Sequence, residues 1–130
     1  MELNLAGKSV IVTGGGSNIG RAISLAFARE GAHLTIAEID EGQGKKAAGE
    51  AQRQGAASAT VVPTDVTKWD SVRVMVRDVE ARLGRVDVLI NNVGWTHDRL
   101  FIEKERAEWE KEVQLNFWGM INCTRAVLDG

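Results

Sequence analysis

Three consecutive glycines, Gly14-Gly15-Gly16, end a short apolar run and are followed by Ser17-Asn18-Ile19-Gly20. Glycine has no Cβ, so a turn built from it lets the backbone approach a bulky anion such as a pyrophosphate. A helix starting near Asn18 would aim free N–H groups and a positive dipole end at the same place. Gly14, Gly16, Ser17, Asn18, Ile19 and Gly20 are therefore candidate phosphate-cradling positions. The spacing is neither G-x-G-x-x-G, since position 19 is Ile, nor a P-loop, since no Gly-Lys-Ser/Thr follows. A purely structural strand-to-helix turn is the plain alternative. Eighteen residues beyond Gly20 stands Glu38. A carboxylate there can accept from both hydroxyls of a ribose and would repel a 2′-phosphate. No Arg or Lys occupies position 37 or 39 to receive such a phosphate, so NAD(H) is expected over NADP(H).

These residues need a scaffold that brings distant turns together, and the hydrophobic pattern supplies one. Lys8–Thr13, His33–Ala37, Ala59–Val62 and Val86–Ile90 are short runs rich in β-branched residues and read as strands. Between them, helical spacing appears in Ile19–Phe27, Glu41–Gln54 and Val72–Leu83, with Gly31, Gly55 and Gly84 at the expected ends. Thr67-x-x-Asp70 reads as a capping box for the third helix. A last helix is expected to carry Trp109, Val113, Phe117, Met120, Ile121, Thr124 and Leu128 on one face. Strict alternation of strand and helix implies α/β architecture: a doubly wound parallel sheet of Rossmann type, in one dinucleotide-binding domain over 1–130. In such sheets, ligands bind at the carboxyl ends of the strands, where the glycine turn sits.

Composition narrows the function. The 16 basic and 18 acidic residues give a net charge of −2, which argues against a nucleic-acid partner. No apolar run reaches the length of a membrane span. Met1-Glu2-Leu3-Asn4 lacks the basic and apolar regions of a signal peptide, and a cytoplasmic location is expected. Cys123 is the only cysteine, which excludes an intrachain disulfide and a cysteine-ligated metal cluster. No metal ligand set is identified.

With these residues in place, the chain resembles the short-chain dehydrogenase/reductase family over nearly its whole length. The family's pattern is Thr-Gly-x-x-x-Gly-x-Gly. Thr13, Gly14 and Gly20 match it, and Asn18 replaces the middle glycine. Asn tolerates left-handed backbone angles better than most residues, so the turn can survive. Asp65-Val66 resembles the family's adenine contact. The alternative role for Asp65 is to help start the following helix. Asn92-Val93-Gly94 resembles the Asn-Asn-Ala-Gly segment that ties the sheet and lines the cofactor ribose. Asn116 resembles the helix-borne Asn of the family's Asn-Ser-Tyr-Lys catalytic set. Its alternative is a buried amide bonded to neighbouring backbone.

The resemblance implies an oxidoreductase that interconverts a secondary alcohol and a ketone by hydride transfer with NAD(H). Hydroxyacyl or oxoacyl thioesters are its implied substrates, resembling the 3-oxoacyl/3-hydroxyacyl-type members. The family's chemistry uses a Tyr-x-x-x-Lys pair, but the chain has no tyrosine. It therefore reads as the N-terminal, cofactor-binding half of a longer enzyme, catalytically incompetent by itself. A non-catalytic dinucleotide-binding module or partner subunit is the second reading, and an interaction fragment pairing through an exposed edge strand is the third. His97, beside Asp98, is chemically able to replace the missing acid–base group but reads as a solvated loop residue. The sheet is incomplete at the fourth-strand edge, and such an open edge favours a homo-oligomer.

Overall fold

The computed structural model describes residues 2–129. Its elements alternate as expected: β1 (Ser9–Thr13), α1 (Asn18–Arg29), β2 (His33–Glu38), α2 (Glu41–Arg53), β3 (Ser58–Pro63), α3 (Trp69–Leu83) and β4 (Val88–Ile90). All four strands are parallel, in the order β3-β2-β1-β4. The β1 residues are buried along the whole strand, as a central strand covered on both faces must be.

The period of two divides β1 between two cores. Ile11 packs with Val72, Met75, Val79 and Cys123. Val10 and Val12 pack with Leu25, Ala28 and Leu34 on the opposite face. Helices α1 and α2 thus cover one side of the sheet, and α3 with the last helix covers the other. This is the doubly wound arrangement, and it leaves the strand ends free for a site. The fourth strand is shorter than the sequence indicated: Val86 and Asp87 precede it, although Asp87 N still donates to Ser9 O at 2.9 Å. No helix among the described residues is long and apolar enough to cross a membrane.

Two local expectations fail. Thr67 does not cap α3, because the helix starts at Trp69, one residue too late for it, and its N–H and hydroxyl instead both donate to Asp65 Oδ1, at 3.0 and 2.6 Å. Lys68 takes the N-cap position, with no side-chain capping bond. The last helix is also not continuous. It comprises α4 (Arg106–Val113), a π-helical stretch over Gln114–Trp118, and α5 (Gly119–Leu128). A π turn widens the helix and rotates every residue beyond it relative to a 3.6 period. The buried line on α5 is therefore Gly119, Cys123 and Ala126, whereas Val113, Phe117, Met120 and Leu128 are exposed. Gly119 sits where a Cβ would meet Val66 Cγ2 at 2.7 Å, so α5 lies close to the chain leaving β3. Trp109 stacks on Phe101, with ring centroids 4.8 Å apart, rather than joining the main core.

Candidate functional site

The carboxyl ends of β1, β2, β3 and β4 meet at a crevice of about 380 Å3. The turn after β1 forms its floor. Gly14 has φ +62° and Asn18 has φ +50°, so the asparagine takes the left-handed conformation that the middle glycine would otherwise supply. Gly20 allows α1 to start against the turn, since a Cβ there would fall 2.0 Å from Gly14 O. Ser17 is the N-cap of α1, but its side chain makes no capping bond. The first-turn N–H groups of α1 thus lack a side-chain acceptor at the end carrying the positive dipole.

Opposite the turn, Glu38 ends β2 and is only 7% exposed. A buried carboxylate requires partners. Its Oε1 accepts from Gly16 N at 3.2 Å, and Oε2 accepts from Ile39 N at 2.9 Å and Asp40 N at 3.4 Å. The carboxylate therefore braces the glycine turn against the start of α2, while its residue still lines the crevice.

The β4 side is tied by side chains. Thr13 Oγ1 accepts from Asn92 N at 3.0 Å and Val93 N at 3.3 Å, and donates to Ile90 O at 3.2 Å. Val93 and Gly94 are held at the crevice wall by this tie. On the β3 side, Asp65 is half-buried, accepts from the N–H and hydroxyl of Thr67, which precedes α3, and lines the crevice beside Val66.

Of the positions singled out in the sequence, Gly14, Ser17, Asn18, Ile19, Glu38, Asp65, Val66, Asn92, Val93 and Gly94 line this one crevice. Gly16 and Gly20 shape its floor without lining it. Asn116 is not on the wall, and its side chain is exposed rather than buried. Its Oδ1 accepts from Trp95 N and its Nδ2 donates to Trp95 O, both at 2.7 Å. It therefore pins the residue that follows Gly94. Ala37, Ile39, Thr64 and Leu115 also line the crevice and were not anticipated. Ala37 and Thr64 could have been found from their places at strand ends. Leu115 could not, because it is the π turn that aims it.

The loop after Gly94 is strapped to α4. Glu112 Oε1 accepts from Thr96 Oγ1, His97 N and Lys104 Nζ, and the Lys104 ammonium holds its carboxyl below the usual range. His97 Nδ1 lies 2.8 Å from Glu108 Oε1. The amide of Glu105 and then His97 lower the Glu108 carboxyl. His97 is thus engaged with α4 and does not line the crevice.

A model of the family described as short chain dehydrogenase matches residues 8–130. The chain belongs to the short-chain dehydrogenase family. This is a family of oxidoreductases built on an NAD(P)-binding fold. An uncharacterized oxidoreductase of Thermotoga maritima is 40% identical over 121 residues, covering 93% of this chain and 47% of that protein. The 3-oxoacyl-acyl-carrier-protein reductase of Chlamydia muridarum is 35% identical, covering 98% of this chain and 52% of that one. Among solved structures, 3-ketoacyl-(acyl-carrier-protein) reductase from Brucella melitensis, complexed with NADH, superposes with a TM-score of 0.89 at 31% identity. It is covered to 50% of its length, and this chain to 97%. The chain spans about half the length of the curated relatives it matches.

Proposed function

We propose that this short-chain dehydrogenase chain is the NAD(H)-binding part of an oxidoreductase that interconverts a secondary alcohol and a ketone. The observation that carries the reading is the buried Glu38 carboxylate at the end of β2, facing the glycine turn across one crevice. The residues present fit a dinucleotide. A left-handed turn at Gly14 and Asn18 and the uncapped start of α1 offer N–H donors to a pyrophosphate. Gly16, Ser17, Ile19 and Gly20 complete that cradle. Glu38 accepts from the ribose hydroxyls and disfavours a 2′-phosphate, which selects NAD(H) over NADP(H). Asp65 and Val66 face the adenine, and Asn92, Val93 and Gly94 face the second ribose. When bound, the nicotinamide supplies or accepts the hydride.

Of the family's catalytic positions, this sequence carries Asn116 and contains no tyrosine. Asn116 is proposed to position the loop at Trp95 beside the reacting end of the crevice. The chain by itself is proposed to hold cofactor without turning it over. The exposed apolar residues Val113, Phe117 and Met120, together with the unpaired edge of β4, support association with a second copy. An acyl thioester substrate is supported by the names of two relatives alone.

The test is titration of the chain with NADH, followed by the fluorescence of its tryptophans and by calorimetry. Saturable binding is expected. Absence of both a saturable signal and measurable heat would remove the cofactor reading and leave an interaction fragment.

A further inference from the structure

A second cleft lies at the opposite end of the sheet, where β1 and β2 begin and α3 ends. It encloses about 570 Å3, and its lining includes Gly7, Ser9, His33, Arg82, Gly84 and Arg85. A Cβ added to Gly7 or Gly84 would meet nothing within 4 Å, so the space is open on both sides.

Ser9 is 3% exposed, yet its Oγ has no hydrogen-bond partner. That hydroxyl is closed off from solvent, so it lies behind the cleft wall, and the polar groups that face a ligand are those of the neighbouring side chains. The two arginines beside it are held with donors to spare. Asp87 Oδ2 accepts from Ser9 N at 2.9 Å and from Arg85 Nε at 3.1 Å. This fixes Arg85 by one edge, and no bond within the described residues engages its Nη1 or Nη2. Arg82 Nε donates to Asp78 at 2.8 Å, and its Nη1 and Nη2 each spend one hydrogen, on Thr60 and Thr35. Each Nη keeps one more. His33 Nδ1 is paired with Ser58 Oγ at 2.7 Å, which leaves Nε2. Arg82 and Arg85 are paired with Asp78 and Asp87, and Lys8, close enough to act on Asp87, adds positive charge that offsets the negative carboxyl end of α3.

We propose that this cleft is a binding site for a phosphate group, held by the free Nη edge of Arg85 and the remaining N–H groups of Arg82. A planar guanidinium with two parallel N–H groups matches an oxyanion in bidentate geometry. The site is separate from the crevice and does not depend on what occupies it.

The experiment is an amide NMR titration of the full chain with inorganic phosphate at constant ionic strength, repeated with ribose 5-phosphate. Saturable shifts are expected at the amides of Ser9, Gly84 and Arg85. Tighter binding of the ester would identify a phosphorylated metabolite as the ligand, and equal binding would identify free phosphate. Arg85→Gln should weaken binding about tenfold or more, with the fold retained in the amide spectrum. Shifts confined to the Gly14–Gly20 turn, shifts that never saturate, or unchanged affinity in Arg85→Gln would overturn the proposal. Binding of NADH at the crevice is read from different amides, so failure of one site is distinguishable from failure of the other.

Discussion

Asn92 Nδ2 donates to the carbonyl oxygen of Gly14 at 3.2 Å, joining two turns that stand 78 residues apart in sequence. Thr13 Oγ1, one residue before Gly14, collects the N–H groups of Asn92 and Val93. Together they fix the glycine turn to the end of β4. Thr13→Val keeps the shape but removes the acceptor, and both N–H groups are then left without it. A loss of about 1–3 kcal/mol is expected in urea unfolding. Unchanged stability would show that the tie is incidental.

Asn18 is a left-handed residue at the head of α1. Asn18→Gly should leave stability within about 0.5 kcal/mol, because glycine accepts this φ without strain. Asn18→Ala should cost about 1–2 kcal/mol. Thermal melting of the pair distinguishes backbone strain from loss of the amide, since loss of the amide would make the two variants equal.

Burial pushes the Cys123 thiol up to about 11, since desolvation disfavours the thiolate. The folded chain should resist disulfide-exchange reagents at pH 8 and react readily in denaturant. Fast labelling of the native chain would show that α5 opens from the core more readily than its packing against Val66 indicates.

The Ser9 amide holds the Asp87 carboxyl below its ordinary value, with Arg85 adding to the effect. A group whose folded value is depressed contributes stability above its unfolded value, and this is lost as pH falls through the folded value. Asp87→Asn should therefore be less stable than the parent at pH 7, and the gap should close below about pH 4. A gap that stays constant with pH would mean that charge plays no part.

Most of this molecule is legible in its sequence because the central strands β1 and β2 are buried on both faces. Runs such as Val10-Ile11-Val12 have few other places to go, and the strand ends then bring Gly14, Glu38, Asp65 and Asn92 to one crevice. The apolar stripe from Trp109 to Leu128 was misleading. It assumes a constant 3.6 period, and the π stretch over Gln114–Trp118 changes the phase. The capping box on α3 misses by one residue, because the helix starts at Trp69 and leaves Thr67 outside it, bonded to Asp65. The double duty of Glu38 was also hidden. Its proposed role as a ribose acceptor is read from position alone, whereas its bonds to Gly16 and Ile39 depend on the turn folding back over it.

The central claim is that Glu38 selects NAD(H). The most direct measurement is the affinity of the chain for NADH and NADPH, in the parent and in Glu38→Ala. The parent is expected to bind NADH at least tenfold more tightly than NADPH. Glu38→Ala is expected to lose about 1.5–3 kcal/mol of NADH affinity as its charged hydrogen bonds disappear. Equal affinity of the parent for the two cofactors would contradict that selection.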